Sequence, residues 1–568
     1  MKPPRQRVLI VGSGMAGLVA GYLLANDKEG RFEVEVLEMQ DRLSLDSASY
    51  TLPRPGEHKR PSVSGSTNGT GTGSGNVSTP KPKTEQNQPP DPNPKIKTET
   101  DQEDEERVDL PMRAFAAGYY DNLRKMYKYL GVTFEEPRFV YSLSTLASSD
   151  DDKSTKKRTE IKGENYFIHS SNNHILPPIR PAGLSILRWV VEVAYLLFWY
   201  AWFTIACFLI PPRTITKTTT TRPKGVLACG GISTTTSESE TLRSFLTRIK
   251  APTYYTTRYF LPLMSSVTTC THEELLDFPA SDIVTYARRT FRRPHYTVRG
   301  GVRQAEGKLS GGLKVRFNAR VTSVKTLEDG SGRVRVRWRW THSSSEKARS
   351  GGVGAVPATS EEGYEEEVFD KAIIAVTPDV VGSIFEPLAK EMRDIPTTSV
   401  QSVVHQDFER IKACSAHLRR DSRFQSRTIA TSPAASLNSA SGPVSAAIHM
   451  FTDLSTGRTE SVHEHRSSML ITTYPIDSAV NESKVLHRAQ FTRVLRSARS
   501  REVVNRIFNP WPKSARRARV KEDGWKNGDG NVYLVGGWCW DGMVMLEGCI
   551  VSAIRVAEAL GVEVPWAR

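Results

Sequence analysis

Residues 7–24 read Arg7-Val8-Leu9-Ile10-Val11-Gly12-Ser13-Gly14-Met15-Ala16-Gly17-Leu18-Val19-Ala20-Gly21-Tyr22-Leu23-Leu24. A β-branched run leads into Gly-x-Gly-x-x-Gly and then into an apolar pattern of helical period, the order of strand, turn and helix that dinucleotide binding requires. Gly12 makes the tight turn, Gly14 lets a pyrophosphate approach the backbone, and Gly17 lets the helix pack closely on the strand. Ser13, Met15 and Ala16 complete the cradle, with the phosphates expected on the N–H groups that open the helix.

Working outward, a second strand at 32–37 ends on Glu38, about 20 residues beyond the last glycine, where this architecture needs a carboxylate to accept from a ribose diol. A lone glycine pattern is weak and fits a ligand-free turn; strand, helix and terminal acid together favour nucleotide binding. Glu38 repels a 2′-phosphate, so NADP is disfavoured here.

The chain has 568 residues, enough for a large core and two domains. Its 38% hydrophobic content and mean hydropathy of −0.41 point to sizeable polar insertions. Cys207, Cys229, Cys270, Cys414, Cys539 and Cys549 show no C-x-x-C spacing, which fits a reducing, intracellular location better than a disulfide framework or a zinc site. Although Lys2, Arg5 and Arg7 precede the apolar stretch 8–25, its glycine pattern and the strand that follows mark it as the first β-α unit and not a secretory signal. A net charge of +15, with basic runs at 496–506 and 513–519, invites a nucleic-acid reading. No helix-turn-helix, zinc-finger or RNP-type pattern accompanies them, so no nucleic-acid partner is expected; solvated faces come first and anionic lipid head groups second.

Residues 53–106 are Pro, Ser, Thr, Gly, Asn, Lys and Glu with almost no aliphatic residues, and such a segment cannot bury enough surface to offset its ordering entropy. It reads as a disordered insertion within a folded unit. A helix at 114–130 capped by Gly131 and a strand at 139–143 follow, and low-complexity stretches recur at 148–163, 214–241, 342–362 and 430–444. Residues 189–210 form an apolar, aromatic-rich segment closed by Pro211-Pro212. As a helix it has the length to span a bilayer. A single crossing there would separate the two halves of the chain. The segment is therefore expected either inside a second domain or dipping into one leaflet, and its Trp and Tyr content favours contact with a membrane surface.

Three further pieces are legible. Residues 298–302 and 313–324 read as a strand pair with Gly311-Gly312 at its turn; 369–378 reads as a buried strand stopped by Pro378; and 531–561 reads as a strand, a turn at Gly536-Gly537, and a helix capped by Gly561. With these in place, the chain resembles the flavin-containing amine oxidase superfamily, including its phytoene-desaturase-like and protoporphyrinogen-oxidase-like members. The resemblance implies an α/β fold: a Rossmann-type FAD-binding domain built from N- and C-terminal segments, a second α+β substrate domain inserted, and long disordered loops. It divides the chain into FAD-binding parts at 1–52, 296–400 and 511–568, the insertion at 53–106, and substrate parts at 107–295 and 401–510. It also implies one extended FAD, with Gly12, Gly14 and Gly17 on the pyrophosphate, Glu38 on the adenosine ribose, the backbone of Val321 on the adenine, Gly536 and the Leu546 helix start on the ribityl and flavin ring, and Arg42 among the contacts.

Two departures stand out. Residues 41–47 replace the family's Gly-Gly-Arg, and Gly537 stands where an acidic residue is usual. Cys539 and Cys549 lie outside the family's covalent attachment motif, so the FAD is expected to be non-covalent. The expected activity is oxidation of a C–N or C–C bond of an apolar small molecule by an FAD-dependent oxidoreductase. Three alternatives remain: a flavin-binding, membrane-docked scaffold without turnover, a lipid or isoprenoid desaturase, and an NAD-dependent dehydrogenase. His295 and His405 read as ordinary strand or loop residues, and no catalytic residue is assigned.

Overall fold

The computed structural model describes residues 4–52, 107–111, 114–146, 163–170, 178, 180–181, 183–221, 232–341, 363–412, 445–465, 467–476, 480–508 and 524–567. The insertion 53–106, nearly all of the polar run 148–163, the stretches 342–362 and 430–444, and the basic run 513–519 lie outside the described residues.

Val8, Leu9, Ile10 and Val11 are all buried, as a parallel strand covered on both faces requires. They belong to β1 (Gln6–Val11), which pairs in parallel with β2 (Phe32–Leu37) on one side and β4 (Lys371–Ile374) on the other. With β3 (Lys314–Arg316) outside β2 and β5 (Val532–Leu534) outside β4, the sheet order is β3-β2-β1-β4-β5. Strand order reverses between β1 and β4, and such a switch point is where open α/β sheets bind ligands, beyond the carboxyl ends of the strands. Helix α1 (Met15–Ala25) is buried on nearly every side because it packs against both this sheet and the closing helix α3 (Leu546–Ala559). Lys28 pairs with Glu563, and Arg31 donates to the Gly561 carbonyl at 2.9 Å. Both ends of the chain thus build one Rossmann-type domain, within an α/β fold.

The strand pair expected at 298–324 is not a hairpin. Val302, Ala305 and Leu309 recur at helical spacing and are buried, so Arg303–Ser310 is a helix and Gly311-Gly312 end it. The second strand is then broken at Asn318, whose φ of +59° turns the chain out of β3 and into Ala319–Thr326, an edge strand of a separate three-stranded meander with Val334–Trp340 and Tyr364–Phe369. The threonine-rich stretch 214–241 pairs as an antiparallel ribbon, Thr214–Thr221 against Ile232–Ser239, in keeping with the preference of β-branched threonine for strands.

A second, seven-stranded sheet runs in the order 485–494, 397–405, 469–473, 458–465, 445–453, 138–146, 163–170, antiparallel except for the 138–146 and 445–453 pair. Short strands Tyr50–Thr51 and Arg107–Val108 pair across the base of the 53–106 insertion, where Arg107 also forms an ion pair with Asp46.

The long apolar helix α2 spans Ile186–Leu209, with Ser185 accepting from Arg188 N at its start. Phe203, Ala206 and Cys207 face the protein and are buried. Leu187, Val190, Val191, Leu197, Phe198, Ile205, Phe208 and Leu209 are exposed, and with exposed Ala194 and Ala201 they recur every three or four residues, so one face is apolar and uncovered. Glu192 lies off that face, its carboxylate accepting from the hydroxyls of Tyr254 and Tyr259.

Candidate functional site

The glycine turn sits at the carboxyl edge of the sheet, and its three glycines differ in what surrounds them. Gly12 has φ +96°, a backbone that L side chains rarely adopt, and a Cβ there would lie 3.0 Å from the Ala375 carbonyl. A Cβ on Gly17 would lie 2.1 Å from the carbonyl oxygen of Gly12, so the helix approaches the strand only because no side chain intervenes. Gly14 is different. A Cβ there would meet only Ser44 Oγ, at 3.9 Å, which leaves open space over the start of α1. Gly14 caps that helix, and among the described residues no side chain accepts from its first N–H groups, which suits an anion.

Glu38, at the end of β2, is 4% exposed. Its Oε2 accepts from Ser13 N at 2.9 Å and Ser13 Oγ at 2.6 Å, and its Oε1 accepts from Gln40 N at 3.0 Å. Three of the carboxylate's roughly four acceptor positions are filled, so a ribose diol would take the remaining one on Oε1 and compete with the Ser13 hydroxyl for another. Ser44 N in turn donates to Ser13 Oγ at 2.8 Å. Ser44, missed in the sequence, therefore closes the turn within 41–47, the stretch that departs from Gly-Gly-Arg. Arg42 is exposed and pairs with its neighbour Asp41.

The adenine-side strand is docked directly on this acid. Ala319 N donates to the Glu38 carbonyl and Asn318 N to the Gln40 carbonyl, each at 2.9 Å. Val321 follows on the same strand, packed with Leu9, Val11 and Leu37, and a register shift lies between it and Ser323. Beyond β4, Trp538 Nε1 donates to the Val376 carbonyl at 3.1 Å, which brings the closing turn beside Ala375 and so beside Gly12. Gly536 N donates to Ser552 Oγ at 3.0 Å. Trp540 lies against Gly542 and Gly548, where any Cβ would come within 2.4 Å of its indole.

Leu546 opens α3, and the next residue, Glu547, is turned away from solvent: it accepts from Asn122 N, Asn122 Nδ2 and Leu123 N at 2.8–3.0 Å, capping the helix Asp121–Tyr129. Burial raises its carboxyl above the ordinary range despite these donors. Arg496, in the basic run 496–506, is not on a solvated face. It is fully buried, and its Nη2 donates to the carbonyls of Trp538, Trp540 and Gly542 at 3.0–3.2 Å, so that the closing turn wraps one guanidinium. Burial pushes it down to about 10. Asp282, also buried, lies between Arg496 and Arg501. His405 is buried, donating from Nε2 to Thr472 Oγ1 at 2.7 Å and accepting from Asp407 N at Nδ1, while His295 packs edge-on against Phe139.

A turn that forbids side chains at Gly12 and Gly17, leaves Gly14 open and places a buried carboxylate one strand away suits the ADP half of a flavin dinucleotide. A family model described as "NAD(P)-binding Rossmann-like domain" matches residues 10–66, and one described as "Flavin containing amine oxidoreductase" matches residues 233–561, more than half of the chain. No curated protein matches. Solved structures similar to the chain include a RAB GDI from Plasmodium falciparum (11% identity, 99% of each chain, TM-score 0.42), a fatty acid isomerase, described as CLA-producing, from P. acnes (11%, 97% of this chain and 98% of that one, 0.48) and a cyclohexylamine oxidase from Brevibacterium oxydans (9%, 98% and 100%, 0.46).

Proposed function

The chain belongs to the flavin-containing amine oxidoreductase family, and on that premise we propose an FAD-dependent oxidoreductase that oxidises a C–N or C–C bond of an apolar small molecule. The observation that carries this reading is the open space over Gly14 beside the buried Glu38 carboxylate, with the closing helix α3 packed along α1. Non-covalently bound FAD would supply hydride acceptance. In this reading the backbone N–H groups of Gly14, Met15, Ala16 and Gly17 at the start of α1 hold its pyrophosphate while Ser13 N–H stays on Glu38, Glu38 orients the ribose, the Val321 backbone meets the adenine, and Gly536 and Leu546 border the ring. The positive end of α3 favours negative charge beside it. Tyr119, whose ring contacts those of Tyr286 and Trp540, adds an aromatic wall at that end of the fold.

The same reading docks the protein on a membrane through the uncovered face of α2. Strands from before and after α2 share one hydrogen-bonded sheet, which argues against a single crossing and for a helix lying in one leaflet.

Two observations favour a flavin-binding scaffold without turnover: Arg42 is occupied by Asp41, and Trp540 fills the space at Gly548. Anaerobic titration decides. An enzyme's yellow colour is bleached by a candidate amine or polyene substrate, whereas a scaffold's colour yields only to dithionite.

A further inference from the structure

Several half-buried arginines are tightly matched to carboxylates: Arg107 to Asp46, Arg248 to Glu240, Arg316 to Glu35 and Arg501 to Asp282. Beside the carboxyl end of α2 four arginines cluster without such partners among the described residues. The helix Ala280–Thr290 packs against α2 and ends in Arg288-Arg289, and the chain continues through Phe291 into Arg292-Arg293. All four arginines are exposed, and among the described residues none of them has a carboxylate at ion-pair distance.

Two of them, Arg288 and Arg292, are tied to the apolar face by ring contacts. The Arg288 guanidinium lies 5.7 Å from the ring centre of Phe208, Phe208 lies edge-on to Phe291 at 5.7 Å, and the Arg292 guanidinium lies 5.2 Å from the Phe291 ring. Phe208 and Leu209 are 45% and 74% exposed, so Arg288 and Arg292 rim the uncovered stripe, with Arg289 and Arg293 exposed next to them in the chain. Guanidinium groups bind phosphate bidentately, and arginines over aromatic rings sit at the boundary between an apolar and a charged layer.

We propose that Arg288, Arg289, Arg292 and Arg293 form a head-group site that directs the exposed face of α2 to an anionic lipid surface. The inference rests on the membrane reading of α2 and adds the chemistry of the membrane to it. A second copy of the chain is a poorer occupant, because a two-fold contact through this face would set the same unpaired arginines against one another. Each arginine at an anionic surface strengthens partitioning roughly five-fold, and the four together by a few hundred-fold.

The test is co-sedimentation of the full chain with phosphatidylcholine vesicles, with and without phosphatidylserine, at low and high salt. Wild type is expected to bind the plain vesicles weakly and the phosphatidylserine vesicles a few hundred-fold better, with the gain lost in high salt. The quadruple variant Arg288→Gln, Arg289→Gln, Arg292→Gln, Arg293→Gln, with wild-type flavin content as its folding control, should keep the weak binding and lose the gain. Equal wild-type binding to both vesicles, or an undiminished gain in the quadruple variant, overturns the arginine assignment and leaves the α2 contact standing. Undiminished binding of Leu197→Glu/Phe198→Glu to both vesicles overturns the α2 contact itself. A concentration-dependent dimer that Leu197→Glu abolishes, with no vesicle binding by wild type, assigns the face to a second copy and overturns both.

Discussion

The hydroxyl of Ser13 donates to Oε2 of Glu38 over 2.6 Å, tying the glycine turn after the first strand to the acid at the end of the second. The same oxygen accepts from Ser44 N, so one small side chain organises three segments of the cofactor edge. Ser13→Ala removes an acceptor from a part-buried N–H and a donor from a buried carboxylate. A loss of about 1–3 kcal/mol is expected, read as a lower melting temperature, and Ser13→Thr should restore part of it.

Among the described residues Glu547 is the only acceptor for Asn122 N and Leu123 N at the start of the helix Asp121–Tyr129. Glu547→Ala orphans both, together with the Asn122 amide, and should cost about 3 kcal/mol or more in denaturant unfolding. Glu547→Gln should recover part of this, because its single carbonyl oxygen replaces one of two accepting atoms. Equal stability of wild type and Glu547→Ala would remove the capping role.

Arg496 holds three carbonyls of the closing turn and lies beside buried Asp282. Arg496→Met leaves those carbonyls without their donor and Asp282 with Arg501 alone. The expected loss is about 3–5 kcal/mol, with protease sensitivity appearing first around 538–545.

Acid should destabilise the fold through two histidines. Burial holds the imidazoles of His272 and His463 down to about 4, against an ordinary value of 6.5. The folded state therefore keeps them neutral while the unfolded chain takes up protons, so the stability they contribute is complete above pH 6.5 and is lost as pH falls toward 4. The loss is about 3 kcal/mol each at most. Melting curves between pH 7 and pH 4 should be flatter for His272→Gln and His463→Gln than for wild type.

What could be read in advance was whatever carries a local signature. The glycine spacing, Glu38 at the end of β2, the buried strand before Pro378 and the helix capped by Gly561 each announce themselves within a few residues, and together they define the Rossmann-type sheet. Arg303–Ser310 was hidden because its apolar residues Val302, Ala305 and Leu309 sit among charged ones and beside glycines, which mimic a hairpin turn. Arg496 looked like part of a solvated basic run, since burial of a charge depends on distant carbonyls that no spacing reveals. Ser44 was invisible for the same reason: its partner Ser13 is 31 residues away. Residues 189–210 declared their apolarity, but only packing distinguishes Phe203, Ala206 and Cys207 from the face left bare.

The flavin content of purified Gly14→Val tests the account most directly. Among the described residues a Cβ there meets only Ser44 Oγ at 3.9 Å, so the variant should fold with the melting temperature of flavin-stripped wild type while lacking the yellow cofactor that heat releases from wild type; Gly17→Ala, aimed at the Gly12 carbonyl, should melt below flavin-stripped wild type as well. A wild type that yields no flavin, or a Gly14→Val protein that retains it in full, would contradict the account.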